Sequence, residues 1–278
     1  HCSLQVYWCD TVIDYSWRLI SSTTEIDRLE FCYVNLPDQR QRALSMIMKA
    51  GCLYFVFTSL HLVLLYGGQV VSWKNQRREE LLFMSSKAVT KPPKPIRGGI
   101  PICFPQVANF GTLEQHGFAR NRLWSLDEDP SPLPPANNQS MVDLVLKSTE
   151  EDLHTWPYRF ELRLRVIVGA DKLTIIPRVR NVDNKAFSFT IALRNYFSVS
   201  DVSEVRVEGL ETLDYFDNLL KRERYTEQAD AITFDGEIDR VYLSTPTKIA
   251  VIDHERKRTI VLRKEGMVDA GFHHILIP

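Results

Sequence analysis

The run Arg97-Gly-Gly-Ile-Pro-Ile-Cys-Phe-Pro-Gln106 and, after a short spacer, Gln115-His-Gly-Phe-Ala-Arg-Asn121 gather two arginines, two glutamines and a histidine in one loop-rich region. Gly98, Gly99, Pro101 and Pro105 break any regular helix or central strand, because proline lacks an amide proton and glycine favours turns. The polar side chains here are therefore expected on turns, displayed and not spent on packing, and shaped loops of this kind bind ligands. A guanidinium keeps its charge at any working pH and donates paired hydrogen bonds, so Arg97 and Arg120 suit an anion such as a phosphate. Gln115 and His116 can address hydroxyls beside it.

The elements that must hold these loops read as β-strands. Alternating stretches recur at Val142-Asp-Leu-Val-Leu-Lys147, Phe160-Glu-Leu-Arg-Leu-Arg-Val-Ile-Val168 and Leu173-Thr-Ile-Ile-Pro-Arg-Val-Arg180. They recur again at Phe187-Ser-Phe-Thr-Ile-Ala-Leu193, Lys248-Ile-Ala-Val-Ile252 and Thr259-Ile-Val-Leu-Arg263. A period of two buries one face of each. Turn signals at Gly169-Ala-Asp, Asn181-Val-Asp-Asn184 and Asp235-Gly236 separate them, and no helical period is long enough to cover a parallel sheet. The expected class is all-β, with antiparallel sheets packed as a sandwich. Pro130-Ser-Pro-Leu-Pro-Pro-Ala-Asn-Asn138 reads as a stiff exposed insertion, and Asn138-Gln-Ser140 fits a glycosylation sequon that an intracellular chain leaves unused.

Composition bounds the class. With 278 residues, 44% of them hydrophobic and 25% charged, the chain can bury a large core as one domain. A formal net charge of -1 excludes general attraction to nucleic acid or anionic membranes, so anion binding must come from local clusters. The five cysteines, at 2, 9, 32, 52 and 103, show no metal spacing and cannot all pair, which fits a reduced cytoplasmic compartment. The apolar run over residues 50–66 falls short of the roughly 20 residues that a spanning helix needs and contains His61. Tyr, Phe, Val and Thr crowd its first half, so strand is the expectation and no membrane partner is expected.

Residues 97–120 also carry a resemblance. Arg-Gly-Gly-Ile-Pro, an aromatic-Pro pair and Gln-His-Gly-Phe-Ala-Arg are similar to the pattern of the aldose 1-epimerase-like family, in particular its glucose-6-phosphate 1-epimerase branch. Further echoes are Tyr66-Gly-Gly-Gln-Val-Val-Ser-Trp73 and the stretches 187–218 and 234–264. The resemblance covers residues 65–266. It implies a galactose mutarotase-like β-supersandwich with its site in the concave face of one sheet, here lacking its final strands. Three parts follow: an unassigned N-terminal segment 1–64, a sandwich domain 65–266 and an atypical tail 267–278. The chain begins with His1 and its first sixty residues read unlike the rest, the mark of a fragment or an altered reading frame.

The resemblance implies a monomeric isomerase of carbohydrate metabolism that interconverts the α and β anomers of a hexose 6-phosphate without metal or other cofactor. One group takes the proton of the C1 hydroxyl, another protonates the ring oxygen, and the family uses a His and a Glu. Carried over by position, Arg97, Gln115 and Arg120 fall on substrate-binding positions, and Asp239 on that of a hydroxyl-binding Asp. Taken singly, the arginines read as surface ion-pair formers and Asp239 as half of a pair with Arg240. His116 either binds a hydroxyl or holds its loop through the backbone.

The catalytic pair departs from the pattern. The family His lies in an Ala-x-His-Thr-Tyr-Phe segment, whereas this chain reads Ala192-Leu-Arg-Asn-Tyr-Phe197, and Arg194 cannot serve as a reversible acid and base. The family Glu has no counterpart in Met267-Val-Asp-Ala-Gly-Phe-His-His-Ile-Leu-Ile-Pro278, which reads as a frayed tail, with His273 and His274 matching no family position. Cys103 reads as a small buried filler and Lys221-Arg-Glu-Arg224 as a solvated turn. Three readings stand: an active hexose-6-phosphate mutarotase, a sugar-phosphate-binding pseudoenzyme, and a truncated product. The expected activity of the chain is low.

Overall fold

Alternation decides the strands. Phe160–Val168 turns Phe160, Leu162, Leu164 and Val166 inward, and antiparallel ladders join it to Ser140–Lys147 on one side and Lys172–Asn181 on the other. The computed structural model describes the strands Cys2–Cys9, Thr23–Glu25, Leu29–Tyr33, Met46–Ala50 and Leu53–Thr58, and then residues 61–130, 139–169 and 171–274. Most of the Pro-rich insertion, with Asn138 of the sequon, lies outside the described residues.

Two large antiparallel sheets carry the fold. One has seven strands, in the order Glu223–Thr226, Asp214–Asp217, Ile238–Tyr242, Asp269–His274, Cys2–Cys9, Ala192–Val199, Ile102–Cys103. The second, ten-stranded, is built around Lys172–Asn181, Leu29–Tyr33 and Arg258–Lys264. Leu4, Val6, Leu193, Phe197 and Phe272 of the first sheet share one apolar core with Leu162, Leu173, Ile175, Ile249 and Leu262 of the second. That is the sandwich that the alternation predicts. The single α-helix among the described residues, Glu150–Thr155, has six residues and a reciprocal cap between Thr149 and Asp152.

The apolar run at 50–66 holds the strands Leu53–Thr58 and His61–Leu64 of a four-stranded sheet with Met46–Ala50 and Gln69–Trp73. No helix among the described residues is long and apolar enough to cross a membrane.

Two expectations need correction. Phe187 and Phe189 are buried, but the strand starts at Ala192; ahead of it, the Thr190 amide donates to the Pro105 carbonyl at 2.9 Å. Alternation reported the burial, not the ladder. The larger correction concerns the end of the chain. Asp269–His274, expected as part of a frayed tail, is an interior strand paired with Ile238–Tyr242 and with Cys2–Cys9. Ala270 and Phe272 enter the core fully buried, and that apolar face is what fixes the strand. The segment 1–64, without assignment from the residues, supplies strands to all three sheets.

Candidate functional site: a donor-rich cleft on the seven-stranded sheet

The same alternation that buries Leu193 and Phe197 turns Ala192 and Arg194 to the opposite face of the sheet. On Ile238–Tyr242, Asp239 and Val241 share that face while Tyr242 is buried. Asp239 is the direct cross-strand partner of His273, which alternates with buried Phe272 and His274. These five side chains form the floor of a cleft of about 300 Å³, a size that suits a small molecule.

The loop after Ile102–Cys103 forms the wall, contributing Val107, Ala108, Asn109, Phe110, Gln115 and His116. Two glycines let it approach. Gly99 has φ +61° and a Cβ there would lie 2.3 Å from the Val70 carbonyl oxygen; Gly117 has φ +66° and would meet the Phe104 carbonyl oxygen at 2.3 Å. Gln106 is a correction to the picture of displayed polar groups. It is buried, its Oε1 accepts from the Leu113 amide at 3.0 Å, and its Nε2 donates to the Ala108 and Leu113 carbonyls at 3.2 Å each. One glutamine thus holds the loop and the other, Gln115, faces the cleft.

His116 holds its loop through the backbone. Its Nδ1 accepts from the Ala108 amide at 3.0 Å, and its own amide donates to the Ala108 carbonyl at 2.9 Å, in a left-handed conformation with φ 67°. Its Nε2 lies 3.0 Å from Nη1 of Arg194. Burial, with the charges of Arg194 and Arg120 beside it, pushes the pKa of His116 down to about 3, so the ring is neutral. A neutral imidazole accepts at one nitrogen alone, so it cannot satisfy both the Ala108 amide and Arg194. An oxygen acceptor on a ligand would satisfy the donor left over.

Arg120 sits on the 3-10 turn Ala119–Asn121 and donates from Nη2 to the Gln115 carbonyl at 2.7 Å, while its Nε is buried without a hydrogen-bond partner. On the far side, Asn218 lines the cleft and donates from Nδ2 to Oδ1 of Asp239 at 2.9 Å. The cleft therefore sets a crowd of N–H donors against one carboxylate. Among the described residues no three His, Cys, Asp or Glu side chains come together to hold a metal ion.

Of the residues expected at the site, Gln115, His116, Arg194 and Asp239 line the cleft, and Arg120 stands behind Gln115. Arg97 is exposed and is not among the lining residues. Cys103 is fully buried and unpaired, with burial pushing its thiol pKa up. Two cleft residues, Asn218 and Phe110, went unread, and His273 and Arg222 were read in other terms. His273 had a signal, since apolar Ala270 and Phe272 predict that residue 273 faces the other way. Asn218 and Phe110 had none. Arg222, read as part of a solvated turn, lies 4.3 Å over the Phe110 ring and 5.2 Å over that of Phe216, and so ties the cleft loop to the neighbouring hairpin.

Comparison with known proteins agrees with this architecture. Residues 60–270 match the aldose 1-epimerase family. A candidate glucose-6-phosphate 1-epimerase of Cenchrus ciliaris is 61% identical over 213 residues, which are 75% of this chain and 64% of that protein. The chain thus spans less than two thirds of the length of that relative. One from Salmonella typhimurium is 34% identical over 222 residues, 76% of this chain and 67% of that one. The crystal structure of a candidate mutarotase from Salmonella typhimurium superposes with a TM-score of 0.64 at 23% identity, covering 82% of this chain and 92% of the other. A galactose mutarotase-like protein from Lactobacillus casei gives 0.58 at 14% identity, over 82% and 87% of the two chains. With its two antiparallel sheets and its matched residues, the chain belongs to the aldose 1-epimerase family.

Proposed function

We propose that the cleft binds the ring of a hexose 6-phosphate and exchanges its anomers, at a rate held down by Arg194. The observation that carries the reading is the mixed chemistry of the cleft lining. Gln115, His116 and Arg194 offer donors, and Asp239, held by Asn218, offers an acceptor. A sugar hydroxyl both donates and accepts, so it can engage both kinds of group. Arg120 places a cation behind Gln115, and the exposed Arg97 on the same segment is the second arginine assigned to the phosphate. The relatives described as glucose-6-phosphate 1-epimerases support this choice of sugar.

Ring opening needs a proton taken from the C1 hydroxyl and one given to the ring oxygen. Arg194 stabilises negative charge on the ring oxygen but keeps its own proton, and neutral His116 has Nδ1 engaged by the Ala108 amide. Turnover is therefore slow for this site, and sugar-phosphate binding outlasts it. Saturation-transfer NMR of glucose 6-phosphate with the purified chain tests the reading. Exchange modestly above the spontaneous rate, lost on Arg120→Ala, is expected; absence of any saturable effect of the protein refutes it.

A further inference from the structure

Four titratable side chains line the cleft among the described residues: His116, Arg194, Asp239 and His273. Three of them are poorly suited to carry a proton back and forth. Arg194 does not release its proton. His116 has Nδ1 on the Ala108 amide and Nε2 against a guanidinium, which leaves a second proton no place on the ring. Asp239 has Oδ1 occupied by the Asn218 amide at 2.9 Å.

We infer that His273 is the proton-transferring group of this cleft, with Asp239, its cross-strand partner, as the residue that positions it. The inference rests on the hexose 6-phosphate reading above. The register sets Asp239 and His273 side by side on the floor of a cleft that His116 and Arg194 also line. Rigid strands hold both. His273 is flanked by Phe272 and His274, whose side chains are buried on the opposite face, so its own direction is set by the alternation of an interior strand. It is half-buried and lines the cavity, as a group that meets a ligand must.

Five influences act on the His273 ring. Asp239 and Glu237 favour the imidazolium; burial, Arg194 and His274 favour the neutral ring, and burial is the largest of these effects, so the pKa lies below the usual histidine value. The neutral ring is then the resting state at pH 7. Its lone pair takes the C1 hydroxyl proton while an oxygen lone pair forms the C1–O1 double bond, and the C1–O5 bonding pair withdraws onto O5. The imidazolium, stabilised by Asp239, returns the same proton to O5. Rotation about C1–C2 and the reverse sequence give the other anomer. One proton leaves and returns, and no further reactant is consumed.

The test compares the full chain with His273→Gln, His273→Ala and Asp239→Asn, measuring glucose 6-phosphate binding by calorimetry and anomer exchange by saturation-transfer NMR from pH 4.5 to 8, with melting temperature as a check on folding. The proposal expects both His273 variants to bind within about threefold of the parent and to lose most of its modest acceleration, falling back to near the spontaneous rate. The parent's rate should fall towards low pH, and that dependence should vanish in His273→Gln. Acceleration retained by the folded His273 variants overturns the proposal. A parent that binds but does not accelerate exchange also overturns it and leaves the binding reading intact, whereas a parent that does not bind overturns both.

Discussion

Replacement of Phe272 by alanine tests whether the last described strand is part of the core. Phe272 is fully buried, packs edge-on against Tyr242 at 5.9 Å between ring centroids, and lies on a strand bonded on both sides. Truncating such a ring removes its transfer energy and leaves a cavity, together about 3–5 kcal/mol. Urea denaturation followed by tryptophan fluorescence should show the midpoint falling by about 1–2 M with little change in slope, taking a slope near 3 kcal/mol/M for a chain of this size. Val268→Ala is the control. Val268 is 45% exposed, just ahead of the same strand, and its truncation should cost less than about 0.5 kcal/mol. If Phe272→Ala costs no more than Val268→Ala, Asp269–His274 is not an interior strand, and the placement of His273 in the cleft fails with it.

Three further outcomes follow from the geometry. Lys264 is buried and donates from Nζ to the carbonyls of Thr245 at 2.9 Å, Met267 at 2.6 Å and Val268 at 2.9 Å, tying down the turn that leads into Asp269–His274; Lys264→Met should cost about 2–4 kcal/mol in the same denaturation assay. His116 has a folded pKa near 3 against an ordinary 6.5, so the unfolded chain binds the extra proton first and stability contributed above pH 6.5 is lost as pH falls toward 3. Discounted for partial exposure, the loss between pH 7 and pH 5 is about 1 kcal/mol, and His116→Gln should flatten that part of the stability curve. Arg222→Ala removes the cation stacked on Phe110, worth about 0.5–1 kcal/mol at an exposed site, and should raise the Kd for glucose 6-phosphate about two- to fivefold while speeding amide exchange over residues 108–116.

What could be read from the residues was what has a local period or a local motif. Phe160–Val168 and Lys248–Asp253 emerge within a residue or two of their alternating runs, since each buries one face. The Gly-Pro segment at 97–105 announced loops, and the loop does build one wall of the cleft. The opposite wall was harder. Asn218 reaches Asp239 through a hairpin closed by Asp217, whose carboxylate accepts from the amides of Leu219 and Leu220, and nothing in the spacing of 218 and 239 fixes that approach. His273 stands next to Asp239 through strand pairing between segments distant in the chain, and register is a tertiary property. Gln106 shows the converse: its residue type suggested a ligand contact, and burial within its own loop claimed it instead.

The central claim, that this cleft recognises a hexose through its ring and its phosphate, is tested most directly by calorimetric titration of the full chain with glucose 6-phosphate and with glucose, repeated on Arg120→Ala. A charge-assisted phosphate contact contributes about 1.5–3 kcal/mol. The account predicts that glucose 6-phosphate binds at least tenfold more tightly than glucose and that Arg120→Ala removes most of the difference. Equal affinity for the two sugars, or an undiminished preference in the variant, contradicts it.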